Sequence, residues 1–301
     1  MTAQVINGRK IARELKAQVR SENTTQGFGC GLATISVGDV ASARTYRRRL
    51  AKLCGELAVP YRNIELPATT AEHDLIAWVR KLNDDSAISG ILVLRPLPPH
   101  IDEVKVFHEL APLKDVEAVH PENAGLLTLG APRYVPPAAA AAYHVLDSWL
   151  DSMGEDRPSF YRRSRIVVVG RSNNVGKPAI SLAYAREASA ESVDKLASMA
   201  NQLGWHTRRA DVLIVAAGVP GLIRAEHIRE GAIVLDVGIN IIDEPGLERP
   251  EIVGDVVFGD AVGRARAVTP VPGGVGPVTD VWLLRNVVAA GHNLRRERRQ
   301  S

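Results

Sequence analysis

The chain has 301 residues, 46% of them hydrophobic, and its 37 basic against 34 acidic side chains leave a formal charge of +3. This length predicts one large or two ordinary domains, with apolar residues enough to bury a sizeable core. The near-balance of charge argues against a nucleic-acid partner, and no run approaches the roughly 18 apolar residues of a membrane span.

Two cysteines, Cys30 and Cys54, form neither a disulfide framework nor a metal-ligand spacing. Reduced, partly buried thiols are expected, in keeping with a cytosolic protein. Residues Met1 to Lys10 lack the apolar core of a signal peptide, so the expected location is cytoplasmic.

In chain order, Gly8 to Asn23 reads as a helix, Leu32 to Ser36 as a strand, Ser42 to Ala58 and Thr70 to Asp84 as helices, and Ile88 to Val93 as a strand. Arg133 to Pro137 closes the first half with prolines, Ala138 to Leu150 reads as a helix, and Asp151 to Arg165 as a polar linker. Strands follow at Arg165 to Val169, Val212 to Ala216 and Ala232 to Asp236. These strands are continuously apolar, which suits burial on both faces of a parallel sheet. Their alternation with helices predicts an α/β fold. Ala188 to Asn201 is the ambiguous stretch, since its Ala, Glu, Lys, Leu and Met content suits a helix at least as well as a strand. A last helix, about Val278 to Leu294, is expected to pack back on the first domain. The basic tail Arg295, Arg296, Arg298 and Arg299 reads as a frayed, solvated end.

Four motifs carry chemistry. Val167 to Pro178 takes a strand into Gly170, turns, and opens a helix at Gly176 with Pro178 in its first turn. Backbone N–H groups at such a turn can hold a pyrophosphate, although the spacing is not G-x-G-x-x-G and an ordinary strand-helix turn would look alike. Val268 to Thr279 packs three prolines and three glycines into a loop that is stiff and approaches something closely, or merely connects domains. Gly90 to Pro98 is a strand ending in prolines, on the edge where open α/β sheets bind ligands. Lys114 to Asn123 is a dense polar loop, in which His120 reads as structural more readily than catalytic.

Together with Val37-Gly-Asp39, Ser42, Tyr46, Gly231 to Asn240 and Val253 to Val257, these segments resemble the methylenetetrahydrofolate dehydrogenase/cyclohydrolase (FolD) family in order and spacing over nearly the whole chain. The Thr269-Pro-Val-Pro-Gly-Gly-Val-Gly-Pro277 run is the most specific part. The resemblance implies a two-domain α/β fold, a cleft between the domains, and usually a homodimer. Residues 1–143 with 279–301 would form the folate-binding domain, and 144–278 a Rossmann-like NAD(P) domain. It further implies a tetrahydrofolate derivative as substrate and NADP or NAD as cofactor, with no metal. Tyr46, Pro96, Leu97, Glu117, Pro272, Gly273 and Gly274 would bind substrate. Gly170, Arg171, Ser172, Val175, Gly176, Ser198, Gly218, Asn240 and Thr279 would bind the cofactor, with Arg171 a contact for a ribose phosphate.

The chain departs from the family at several of these sites. The family's lysine, one turn after Tyr46, is Leu50, and the glutamine that hydrogen-bonds it is Leu94. Loss of both partners looks coordinated, because one survivor would be buried unpaired at a cost of roughly 1–3 kcal/mol. Leucine can neither position a water nor move a proton, so cyclohydrolase activity is expected to be absent or very weak. Lys52 lies about 200° around the helix from Leu50, and the Arg49 guanidinium stays protonated, a poor base. The family's pterin-anchoring aspartate is Glu117, followed by Ala118, and its Pro-Cys-Thr-Pro hinge is Tyr134-Val-Pro-Pro137. If the second Rossmann strand were lost near Ala188 to Asn201, the adenosine pocket would lack a wall.

The leading expectation is a monofunctional dehydrogenase, since hydride transfer asks mainly that donor and acceptor carbons be held face to face. The alternatives are a non-redox enzyme that passes the one-carbon unit to another acceptor, and a folded but inactive folate-binding protein. Arg47, Arg48 and Arg49 either attract the glutamyl tail of a folate or form a solvated helix face.

Overall fold

The computed structural model describes residues 2–24, 30–242 and 251–299, the side chains of residues 24, 41 and 42 excepted, so the Ser42 side chain lies outside the described residues. The chain begins with β1 (Gln4–Val5) and α1 (Gly8–Thr24). There follow β2 (Gly31–Val37), α2 (Ala41–Glu56), β3 (Tyr61–Leu66), α3 (Glu72–Asp84), β4 (Ile88–Val93), α4 (Glu103–His108) and α5 (Pro121–Thr128). The second half runs α6 (Pro137–Ser152), α7 (Arg157–Arg163), β5 (Arg165–Val169), α8 (Gly176–Tyr184), β6 (Ser189–Val193), α9 (Lys195–Met199), α10 (Leu203–Thr207), β7 (Val212–Val215) and β8 (Ile233–Asp236). It closes with β9 (Asn240–Ile242), β10 (Glu251–Val253), α11 (Phe258–Arg264), β11 (Ala267–Val268) and α12 (Val275–Arg298).

The chain divides into two compact units, one of residues 14–136 with 280–301 and the other of residues 1–13 with 137–279. The first holds a three-stranded parallel sheet in the order β3-β2-β4. Every residue of β2 and β4 is buried, as their unbroken apolar runs predict. Ile35, Ile91 and Val93 pack with Leu75 and Val79 of α3 and with Phe107 of α4 in one core cluster.

The second unit holds a six-stranded sheet, β1-β11-β8-β7-β5-β6, whose paired strands are all parallel. Strand order reverses between β5 and β7, and the carboxyl ends of those strands are where a doubly wound sheet binds its ligand.

Several expectations are corrected. Residues 1–13 belong to the large-sheet unit because β1 pairs with β11, and 137–143 join it through α6, whose Tyr143 hydroxyl donates to the Ala179 carbonyl at 2.8 Å. The polar linker contains α7, capped by the Asp156 carboxylate on the Ser159 amide. The ambiguous stretch is both things in turn: β6 pairs with β5 over five residues, and α9 follows. The basic tail through Arg298 is helical, its arginines in the last turn of α12, where cations meet the negative end of the helix dipole. No helix among the described residues is long and apolar enough to cross a membrane.

Candidate functional site

In the small-sheet unit, β4 runs directly into the site. Leu94 continues the strand, donating its amide to the Ile35 carbonyl at 2.8 Å, and its side chain is buried. Arg95 then turns outward and holds both carboxylate oxygens of Glu117 at 3.3 Å, its guanidinium over the Phe107 ring. Burial pushes the Glu117 carboxyl above its usual range, and the Arg95 charge opposes that. Pro96 is exposed and Leu97 packs on the core.

The loop that carries Glu117 is built around Asp115. This buried carboxylate accepts the amides of Val119 (3.1 Å) and His120 (2.8 Å) and the Asn123 side chain (2.8 Å). Lys114 is buried as well and gives its ammonium to the carbonyls of Leu82 and Asp85. His120 acts locally, its Nδ1 accepting the Glu122 amide at the start of α5. Two elements brace the loop from outside. The Tyr134 hydroxyl donates to the Leu113 carbonyl at 2.8 Å, and Asn286 of α12 donates to the carbonyls of Val116 (2.8 Å) and Val135 (2.9 Å). Asn286→Ala would leave two carbonyls short of a donor, at about 2 kcal/mol. A lowered urea midpoint with an unchanged slope is expected, and an unchanged midpoint would refute the bracing role.

Helix α2 supplies the facing groups. Leu50, one turn after Tyr46, is fully buried, whereas Lys52 is exposed. The three arginines do not form one solvated face. Arg47 is buried on Ser36 Oγ (2.6 Å) and Glu65 (3.1 Å), whereas Arg48 lies exposed. Arg49 lies over the Tyr46 ring and clasps Asp280 of α12, Nε to one oxygen at 2.7 Å and a terminal nitrogen to the other at 3.1 Å. Burial and the charges of Asp280 and Glu117 push the Tyr46 phenol well above its usual range, so both carboxylates act on one ring.

Burial also pushes the Asp280 carboxyl up to about 6, against the pull of Arg49. A raised carboxyl binds its proton more tightly folded than unfolded. Its contribution therefore favours folding below about pH 4 and is lost as pH rises through about 6. Asp280→Asn is expected to lose less melting temperature than the parent between pH 4 and pH 7. Parallel profiles would contradict the shift.

In the large-sheet unit, β5 ends at Gly170, whose φ is +116°. A Cβ there would sit 2.2 Å from the Ala216 carbonyl oxygen, and one at Gly176 would sit 2.1 Å from the Gly170 carbonyl oxygen. Only glycine allows so close a turn. Ser172 Oγ accepts the Val175 amide at 3.2 Å, at the start of α8. Arg171 turns back to β6, bonding Ser192 and Asp194.

After β7, the amides of Ala217, Gly218 and Val219 all donate to the buried carboxylate of Asp255, at 2.6, 2.9 and 3.0 Å. Asn240 donates to the same carboxylate at 2.8 Å. Asp236, at the end of β8, accepts three further amides, from Gly238, Asp255 and Val256. Thr269 Oγ1 receives the Asp236 amide, and the adjoining loop packs so tightly that a Cβ on Gly8 would overlap the Gly274 carbonyl.

The structure thus groups Tyr46, Leu50, Leu94, Pro96, Leu97 and Glu117 in one unit. Gly170 to Gly176, Ser198, Gly218, Asn240, Pro272 to Gly274 and Thr279 fall in the other. Ser198 lies on α9, and Thr279 Oγ1 bonds the Val275 carbonyl within α12. Sequence reasoning passed over Arg95, Asp194, Asp280 and Asn286. An acid in the otherwise apolar first turns of α12 was the available signal for Asp280.

Residues 6–117 match the family described as tetrahydrofolate dehydrogenase/cyclohydrolase, catalytic domain, and residues 155–295 its NAD(P)-binding domain. The chain is 55% identical over 298 residues to bifunctional protein FolD 3 of Rubrobacter xylanophilus, covering 98% of this chain and 94% of that one. It is 38% identical to bifunctional protein FolD of Acetivibrio thermocellus, over 96% of this chain and 97% of that one. A solved structure of methylenetetrahydrofolate dehydrogenase-cyclohydrolase from Trypanosoma brucei, complexed with NADP cofactor and inhibitor, superposes with a TM-score of 0.89 at 33% identity, covering 98% and 99% of the two chains.

Proposed function

The chain belongs to the tetrahydrofolate dehydrogenase/cyclohydrolase family, and from that premise we propose that it oxidises methylenetetrahydrofolate to methenyltetrahydrofolate with a nicotinamide nucleotide and does not hydrolyse the product. The observation that carries the reading is the burial of Leu50 and Leu94 at the two positions where the family places a lysine and its glutamine. The family's name and that of the Trypanosoma brucei protein include both activities, and the departure rests on those two side chains.

The residues present fit a dinucleotide. Gly170 and Gly176 leave a cradle that a single Cβ would fill, beside the point where strand order reverses. The turn from Gly170 to Gly176 and the loop at Gly218 would hold it, and it would supply the hydride acceptor. In the other unit, Glu117 takes the pterin by its carboxylate, held in aim by Arg95. Tyr46 stays protonated and orients the folate ring through its hydroxyl and its face. Nothing in this set replaces the lysine. The Arg49 guanidinium presents only N–H donors, and both Asp280 oxygens accept from it. Water near the attacked carbon therefore finds no base.

We further propose that the protein works as a homodimer, by analogy with its family. The test of the main reading is to mix the protein with methylenetetrahydrofolate and NAD⁺ or NADP⁺, following reduced nucleotide and methenyl absorbance together. Equal accumulation of both is expected. Reduced nucleotide without lasting methenyl would contradict the loss of hydrolysis, and no reduced nucleotide would sink the redox reading.

A further inference from the structure

Arg171, in the glycine turn after β5, is the cation a 2′-phosphate would seek, yet every nitrogen of its guanidinium is engaged. Nε donates to Ser192 Oγ at 3.1 Å, one terminal nitrogen to the Ser192 carbonyl at 2.9 Å, and the other to Asp194 Oδ2 at 2.8 Å. Asp194 stands immediately beyond the carboxyl end of β6, the strand that pairs with β5 outside the point of reversal. Its other oxygen accepts the amides of Leu196 (3.0 Å) and Ala197 (3.3 Å), so α9 fixes the carboxylate from behind. In doubly wound folds an acid at this place accepts the ribose hydroxyls of the adenosine, whereas a free arginine accommodates a 2′-phosphate.

We propose that Asp194 makes this protein select a nucleotide with a free ribose 2′-hydroxyl, NAD⁺ rather than NADP⁺. Asp194 does so twice over, by accepting the hydroxyl and by holding Arg171 away from a phosphate. The inference rests on the nucleotide-binding reading above and adds to it which nucleotide is used. Lys195, beside Asp194 on α9, is exposed. A solvated, flexible ammonium there offsets little of the repulsion between a fixed carboxylate and a phosphate.

The test is isothermal titration calorimetry of the full chain with ADP-ribose and with its 2′-phosphate, which reads binding and not turnover. The parent is expected to bind ADP-ribose on the order of 30-fold more tightly or better, the scale of like charges set against each other across a contact. Asp194→Ser keeps a capping side chain for α9, removes the carboxylate that would repel a phosphate, and frees the Arg171 terminal nitrogen that Asp194 holds, so it should shift the ratio toward the 2′-phosphate by on the order of tenfold or more. Adding Arg171→Gln to that variant should abolish the gain. Equal or tighter binding of the 2′-phosphate by the parent overturns the selection while leaving the nucleotide-dependent reading intact. A ratio unmoved in Asp194→Ser also overturns it. Failure of the parent to bind either compound overturns both together. Should Asp194→Ser not fold, the parent's ratio alone decides.

Discussion

Replacing Leu50 with lysine and Leu94 with glutamine together is expected to create a measurable methenyltetrahydrofolate hydrolase, with a gain on the order of 100-fold or more over the parent, since positioned acid-base groups contribute about 10²–10⁴. Both leucines are buried, so each replacement made alone puts a polar group where it has no assured partner. Leu50→Lys alone should cost about 3 kcal/mol or more, because an ammonium taken from water must be paired or lose its proton. Leu94→Gln alone should cost about 1–3 kcal/mol for its unsatisfied amide. Made together, the two can satisfy each other as the family's pair does. The double variant should then be more stable than the sum of the singles allows, by about 1–2 kcal/mol. Urea unfolding of all four proteins measures the coupling, and loss of methenyl absorbance measures the chemistry. Additive damage with no hydrolysis would mean that these two positions do not govern hydrolysis.

Asp255→Ala is expected to cost more than any other single change in the nucleotide half, about 4 kcal/mol or more. One buried carboxylate receives the amides of Ala217, Gly218 and Val219 and the Asn240 side chain. Removing it orphans four donors, each of which carries a desolvation penalty of about 1 kcal/mol or more when left unpaired. The same bonds shape the turn after β7, so nucleotide affinity should fall with stability. Gly238 approaches the carboxylate so closely that a Cβ would lie 2.2 Å from its Cγ, which leaves no room for a larger group to substitute. Asp255→Asn keeps an acceptor and the shape, and should recover part of both losses. An alanine variant with parental stability would show that backbone and water can replace the carboxylate.

The strands β2, β4, β5, β7 and β8 were legible because each is an apolar run buried on both faces, a pattern that local composition records. Strand β6 was not, because its sequence is Ser-Ala-Glu-Ser-Val and only Val193 is buried. It forms as the sheet's edge, paired on one side by β5, so tertiary pairing overrides a composition that would suit a helix. Strands β1 and β11 are two residues each, too short to carry any periodicity.

The candidate site divides the same way. Leu50 and Leu94 could be read from two positions in a recognisable pattern, and the glycine turn from its spacing. What could not be read was which charges meet. Arg49 finds Asp280 from the far end of the chain, Asn286 reaches back to the Glu117 loop, and Arg171 is taken by Asp194 across a strand pairing that the sequence obscured. These partnerships depend on the folded topology and not on any local pattern.

The most direct test supplies methenyltetrahydrofolate itself, with no nucleotide, and compares its disappearance with and without the protein in a buffer that does not catalyse the reaction. The two rates are expected to agree within error while the same preparation oxidises methylenetetrahydrofolate. A protein-dependent rate that saturates with methenyltetrahydrofolate would contradict it, and would mean that water is activated here without the lysine.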